Sequence, residues 1–315
     1  MSHFTVLVIG DNPEKQLQPY HEYECTGVDD EYVIDVDMTD EINEWLQEEL
    51  FVGKKGDVYD YEYDEQRAKE HLMRVKKMTR QEYFGLTESN IDEEIKDYHG
   101  YEKRGDKWIR HTNPNKKWDW YQLGGRWAGF FKMKHAEVEA VVGEESFMGS
   151  AAREGYADQL LKKDIDFEAM RAEAVNKAEQ NYLLAMSVFG DTPVNETWDS
   201  IREANKDDIE NARNIYWAQP RCVAWQERQR EKDWPFGYSS SPDDFRITKE
   251  EYLKKASDGA VATFAVVKNG QWYERGSMGW WACVSDEKDN WNEEFAKLLD
   301  SVSDDTLLSV YDCHI

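Results

Sequence analysis

Cysteine is scarce in this chain, with 4 in 315 residues. They stand at Cys25, Cys222, Cys283 and Cys313, with no CxxC pair among them. That spacing excludes zinc-ribbon and thioredoxin motifs, and in a cytosolic setting the four thiols are expected to be reduced. Long apolar runs are also missing. Runs such as Phe4 to Ile9 and Ala260 to Val267 fall far short of the roughly 20 residues of a membrane helix. No basic segment precedes an apolar stretch near residue 1, so no signal peptide and a cytosolic location are expected. Positive charge is the third shortage: 39 Lys and Arg stand against 65 Asp and Glu, a formal net charge of −26. A field of that sign repels phosphate backbones and anionic lipid, which argues against direct nucleic-acid or membrane-surface binding. There is no Walker motif, no GxGxxG and no DxDxDG calcium loop, so no cofactor or metal is expected.

Aromatic side chains, by contrast, are abundant at 13%, including 13 Trp. Disordered acidic chains lack the large rings that build cores, so this chain is expected to fold. His3 to Ile9 reads as a buried strand stopped by Gly10-Asp11-Asn12-Pro13, and Leu307 to Ile315 as a second one. Thr39 opens a helix with Ile42, Trp45, Leu46 and Leu50 at helical spacing, and a helical period also runs from Asp64 to Met78. Thr79-Arg80-Gln81-Glu82 and Thr248-Lys249-Glu250-Glu251 are capping boxes. Trp118 to Tyr121 and Arg126 to Met133 read as strands around Gly124-Gly125. Phe167 to Ala185 and Thr197 to Tyr216 each carry one apolar stripe, which predicts a helical hairpin ended by Pro220. Cys222 to Trp225 and Ala260 to Val267 read as strands, and Asn269-Gly270 is a hairpin signal.

The expected fold class is therefore α+β. An antiparallel or mixed sheet forms from both chain ends, with helices on one face. Residues 1–149 and 219–315 make a discontinuous core domain, and 150–218 a helical hairpin inserted into it.

The segments Met1 to Gly10, Glu22 to Gly27, Trp118 to Trp127 and Asp312-Cys313-His314-Ile315, with Leu17, Pro19 and Tyr20, resemble a family of tailed-bacteriophage proteins without a settled activity. These segments amount to 33 of the 315 residues. The resemblance implies a viral accessory protein made inside a bacterium, in a class rich in counter-defence and host-takeover factors. It carries over no catalytic residue.

Three groups of residues are candidates for chemistry. Gly124-Gly125-Arg126-Trp127 with Trp118, Trp120 and Tyr121 sets a guanidinium beside aromatic faces over a glycine turn. Such a group can stack a base and hold a phosphate, or can simply pack a Trp-rich sheet. The second group is His3, His21, Glu22, Glu24, Asp312, Cys313 and His314. Pairing of the terminal strands places His3 near His314, and alternation sets Asp312 and His314 on one face with Cys313 on the other. Imidazoles with carboxylates bind divalent metals or serve as acid and base, or they are plain core and surface groups. A thiolate at Cys313 or Cys25 is disfavoured in so acidic a chain.

The third group is the acid. Asp29-Asp30-Glu31, Asp35, Asp37, Asp40-Glu41 and Glu44 form one run, and Asp57, Asp60, Glu62, Asp64 and Glu65 another. Carboxylates on a rigid surface imitate DNA phosphates and occupy a basic cleft on a host enzyme, or they keep a protein soluble. With no nucleophile, metal motif or phosphate loop, the first expectation is a protein that blocks a host factor such as a defence nuclease. Its contacts would include Asp35, Asp37, Asp40 and Glu41. The alternative is capture or cleavage of a nucleotide signal at the Trp/Arg cluster. A symmetric dimer is expected from the aromatic content and the hairpin's apolar stripe.

Overall fold

The computed structural model describes residues 2–52, 58–59, 76–146, 149, 151–206, 208–237, 240–279 and 282–315. The chain divides into two compact units, one of residues 1–18 and 120–315 and one of residues 19–119.

The first unit begins with strand β1 (His3–Ile9), whose run of β-branched and leucyl residues suits a strand buried on both faces. Helix α1 (Pro13–Leu17) follows, with Pro13 in its first turn, where the missing N–H is not needed.

The second unit holds an antiparallel sheet and two packed helices. Strand β2 (Ile34–Asp37) leads into helix α2 (Thr39–Gln47). Helix α3 (Ile91–His99) ends at Gly100, which has φ 73°. Strands β3 (Glu102–Arg104) and β4 (Lys107–Thr112) complete the sheet, in the order β2–β4–β3. Ile42 and Leu46 of α2, Ile95 of α3, Leu86, Tyr101 and Trp108 form the core. A further three-stranded sheet joins Glu49–Val52, Val58–Tyr59 and Lys76–Thr79. The helix expected over 64–78 lies outside the described residues as far as 75, and Lys76–Thr79 is strand.

The first unit resumes at strand β5 (Trp120–Gly125). Short strands β6 (Ala140–Val141), β7 (Glu144–Glu145) and β8 (Gln159–Leu161) come next. The long helix α4 (Phe167–Phe189) is capped by the Asp166 carboxylate, which accepts the Ala169 N–H. Helices α5 (Trp198–Ala204), α6 (Ile209–Trp217) and α7 (Pro220–Gln229) follow. The chain closes with helix α8 (Lys249–Gly259), the hairpin β9 (Ala265–Lys268) and β10 (Gln271–Glu274), helix α9 (Trp291–Asp300), and strand β11 (Leu307–His314). Asn269 and Gly270 both take positive φ, as the two-residue turn requires.

The sheet of this unit is mixed and is built from both chain ends, so the fold is α+β. Strand β11 runs antiparallel to β1 from His3–His314 to Ile9–Leu308, and β1 runs parallel to β9. The other edge of β11 is shared by two strands: β8 pairs with its start and β5 with its end. At the start, Leu7, Ile9, Val266, Leu308, Val310 and Leu160 meet Met170 of α4 and Trp291, Phe295 and Leu299 of α9. A separate aromatic cluster sits among the helices, where Phe189, Trp225 and Phe245 pack with Trp234 and Phe236.

Two expectations about the helices and one about the domains differ from this architecture. The helix expected from Thr197 to Tyr216 is two helices, because Asn205 leaves helical geometry and Asp208 caps a new start by accepting the Asn211 N–H. Cys222 to Trp225 is helical rather than extended: Pro220 opens α7 in place of ending its predecessor. Residues 150–218 also do more than form a hairpin, since they supply β8 and the core side chains Leu160, Ile165 and Met170. Burial of side chains of this size stabilises by roughly 1.5–3 kcal/mol each. Replacing 150–218 by a Gly-Ser linker is therefore expected to abolish cooperative chemical unfolding of the first unit. A cooperative transition that survived the replacement would show the segment to be separable after all.

Candidate functional site

Alternation along β1, β11 and β5 sets His3, Thr5, Asp312, His314, Trp120 and Gln122 on the same face of the sheet as Leu7, Ile9, Val310 and Leu308. The apolar half of that face is covered by α4 and α9. The other half is polar and aromatic. The His3 and His314 rings lie 4.8 Å apart, edge to face, and His3 lies 6.0 Å from Trp120. The expected pairing of the terminal strands thus brings the two histidines together, with Asp312 between them in sequence and Cys313 buried on the opposite face.

Asp312 is fully buried, and both of its oxygens are engaged. His3 Nδ1 donates to Oδ1 at 2.8 Å, and the Arg126 backbone N–H donates to Oδ2 at 2.9 Å. With Nδ1 engaged by Asp312, Nε2 is the His3 nitrogen left to bind a ligand. Asp158, also fully buried, has a parallel role. It accepts the backbone N–H groups of Gly129, Phe130 and Gly143 at 2.8–2.9 Å.

The two glycines of the motif fit between these carboxylates. Gly124 has φ +75°, and a Cβ there would lie 2.7 Å from Asp158 Oδ2. Gly125 has φ +56°, and a Cβ there would collide with Asp312. The Arg126 N–H at the end of this turn therefore already binds an anion, the protein's own Asp312 carboxylate. The next two N–H groups, of Trp127 and Ala128, are taken by the Gly124 and Gly125 carbonyls.

The aromatic members of the motif do not converge. Trp120 and Tyr121 point to opposite faces of β5, and Tyr121 packs edge-on against Tyr311, 5.5 Å away. Trp118 is buried in the second unit, where it bridges to His21. Trp127 is half-buried after the strand ends. Trp120 keeps 42% of its surface exposed. Arg126 Nε is buried and has no hydrogen-bond partner among the described residues, and no described carboxylate forms an ion pair with its guanidinium.

The rest of the histidine–carboxylate group lies in the second unit. His21 is fully buried, with Nδ1 3.0 Å from Thr26 Oγ1 and Nε2 3.2 Å from Asp30. Glu24 accepts from Arg110 and Thr112, and Glu22 pairs with Lys116. Glu22, Cys25 and Asp119 bring ligand atoms within 4.8 Å of one another, the one such group among the described residues. Burial, then the bond to Glu22, raises the Cys25 pKa, and burial raises that of Cys313 far more, so both stay thiols. Neither is an activated nucleophile.

Three of the four acidic contacts expected to meet a partner are paired internally. Asp35 accepts from His111 Nδ1 at 2.9 Å and pairs with Arg104. Those bonds lower the Asp35 pKa, and the bonds to Asp35 and Asp29 raise that of His111. Asp37 pairs with Lys107 at 2.7 Å and accepts the Thr39 hydroxyl at 2.6 Å. The hydrogen bonds from Lys107 and Thr39 hold it down at about 2. Glu41 accepts the Tyr101 hydroxyl at 2.9 Å. Asp40 is exposed. The second acidic run, from Asp57 to Glu65, lies outside the described residues.

No protein-family model matches the chain, and no curated protein or solved structure shows detectable similarity to it. Among the described residues no helix is long and apolar enough to cross a membrane.

Gly155 separates the two costs that a side chain would bring at Gly125. It has φ +80° but open space around it. Gly155→Ala is expected to cost about 1 kcal/mol of stability from backbone strain alone. Gly125→Ala, which adds a collision with Asp312, is expected to cost at least about 2 kcal/mol more. Chemical denaturation of both variants checks this, and equal losses would mean that Asp312 does not press on the glycine.

Proposed function

We propose that this chain is a recognition protein for a small anion bearing a flat ring, of the nucleotide class, and that it binds this ligand at the polar end of the terminal-strand sheet. The observation that carries the reading is the Asp312–His3 pair beside His314 and the exposed Trp120 ring. An imidazole fixed by a buried carboxylate is a pre-oriented partner for a phosphate oxygen. An exposed indole gives a base a stacking face, worth roughly 1–3 kcal/mol. The Arg126 guanidinium, without an acidic partner among the described residues of a chain that carries 65 acids, is the cation of the proposal. This refines the Trp/Arg cluster of the sequence analysis: Trp120 and Arg126 are kept, His3 and His314 are added, and Tyr121 and Trp118 are left out.

The resemblance to tailed-phage proteins supplies the setting we propose, the host cytoplasm during infection, and the role, counter-defence or host takeover by withdrawing a nucleotide signal. A second reading, obstruction of a basic cleft on a host protein such as a defence nuclease, draws on the net charge of −26. The internal pairing of Asp35, Asp37 and Glu41 weighs against those residues as its contacts. A symmetric dimer belongs to either reading. Leu183, Ile209, Ile215 and Val223, which α4, α6 and α7 leave exposed, are the side chains with which it would close.

Calorimetry with a panel of mono-, di- and cyclic nucleotides tests the first reading. Trp120→Ala and Arg126→Gln are each expected to weaken binding tenfold or more. Reversing Asp35, Asp37, Asp40 and Glu41 together is expected to leave binding unchanged or improve it. Absence of nucleotide binding by the unmodified protein, or loss of binding only in the acid-reversed variant, would overturn it.

A further inference from the structure

We propose that the groove between α4 and α8 is a second ligand site, independent of the terminal-strand site, and that it takes an organic anion with an apolar body. The groove has a volume of about 490 Å³, within the range of small-molecule pockets. Its geometry follows from helical spacing. Ala174, Lys177, Ala178 and Asn181 form one stripe on α4, and Tyr252, Lys255 and Ala256 form the facing stripe on α8. The alanines keep the floor low and apolar, and Ile247 adds to the apolar lining. A hydrocarbon or aromatic body has a place to sit there.

The charge pattern of the rim identifies the head group. Lysines around this groove have carboxylates in easy supply, and those that point elsewhere use them. Lys249 pairs with Glu179 at 2.5 Å, and Lys254 pairs with Asp258 at 2.5 Å. Lys177 and Lys255, the two at the groove, form no close ion pair with a described carboxylate, and the nearest acid to act on either is Glu251, one helical turn before Lys255, whose pKa that lysine helps to lower. In a chain of net charge −26, two lysines across one cavity, neither in a close ion pair with a described residue, are set for an anion from outside. Asn181 adds an amide on the α4 wall and Tyr252 a phenol on the facing α8 wall. Asp244, the one acid in the lining, accepts the backbone N–H of Ser241 in a capping box, so its charge is partly engaged at the end of the groove. A carboxylate, sulfonate or phosphate between Lys177 and Lys255, with its apolar part on Ala174, Ala178 and Ala256, satisfies every wall.

The probe is 8-anilinonaphthalene-1-sulfonate, an aromatic sulfonate whose fluorescence rises on transfer to an apolar site. The full-length protein is expected to bind one equivalent saturably. Lys177→Gln with Lys255→Gln is expected to weaken binding tenfold or more. Lys254→Gln with Lys163→Gln, which removes the same total charge from ion-paired lysines, is expected to stay within twofold of the unmodified protein. Amine acylation read by mass spectrometry locates the site, and bound probe is expected to protect Lys177 and Lys255. Trp120→Ala is expected to leave the affinity unchanged, which separates this site from the nucleotide site. Equal affinity in the two double variants, protection at other lysines, or no saturable binding would each overturn the proposal.

Discussion

A single carboxylate links the two ends of this chain. Asp312 lies on the central strand with no contact to solvent, between the ring of His3 and the backbone of Arg126. A buried carboxylate without donors costs several kcal/mol, so its partners are not optional. His3 must face it from the neighbouring strand, and the loop after β5 must turn its N–H groups inward. That turn in turn demands glycine at 125, since any Cβ there would enter the space of the carboxylate. Asp158 imposes the same demand on Gly124 and holds the following loop by three more backbone bonds. Strand pairing, loop shape and the exposed arrangement of histidine and tryptophan therefore share one electrostatic cause.

Much of this frame was legible in the residues. The terminal strands announced themselves by apolar β-branched runs, and alternation alone placed Asp312 and His314 on one face. The capping boxes at Thr79 and Thr248 and the Asn269-Gly270 turn are local chemistry and appear where the pattern set them. The glycine pair was visible as a place of close approach, but what approaches it was not. The partners, Asp158 and Asp312, lie 34 and 187 residues further on, and no local pattern ties a glycine to a distant carboxylate. The Trp-rich stretch misled for a related reason. Residues adjacent in sequence on a strand face opposite ways, so Trp120 and Tyr121 cannot serve one ligand face.

The helical region shows where periodicity runs out. Apolar spacing continues through Asn205 to Asp208, yet an asparagine that bonds back to Ile201 and an aspartate that caps forward break the helix there. Composition carried a similar ambiguity in the acidic unit. A count of carboxylates predicts a bare negative surface, whereas Arg104, His111, Lys107 and Thr39 engage Asp35 and Asp37 one by one. Surface pairs of this kind contribute little to stability, but they decide which charges a partner would meet. The lysines of the α4–α8 groove, in no close ion pair among the described residues, are informative for the same reason.

The account rests on the coupling between His3 and Asp312, and a double-mutant cycle measures it directly. Unfolding free energies of the unmodified protein, His3→Ala, Asp312→Ala and the double variant give the pairwise term, with the stranded Arg126 N–H cancelling between the last two. A charge-assisted hydrogen bond at a buried carboxylate predicts a coupling of about 1.5 kcal/mol or more. Losses that add to within about 0.5 kcal/mol would contradict the claim that this pair organises the sheet and its site.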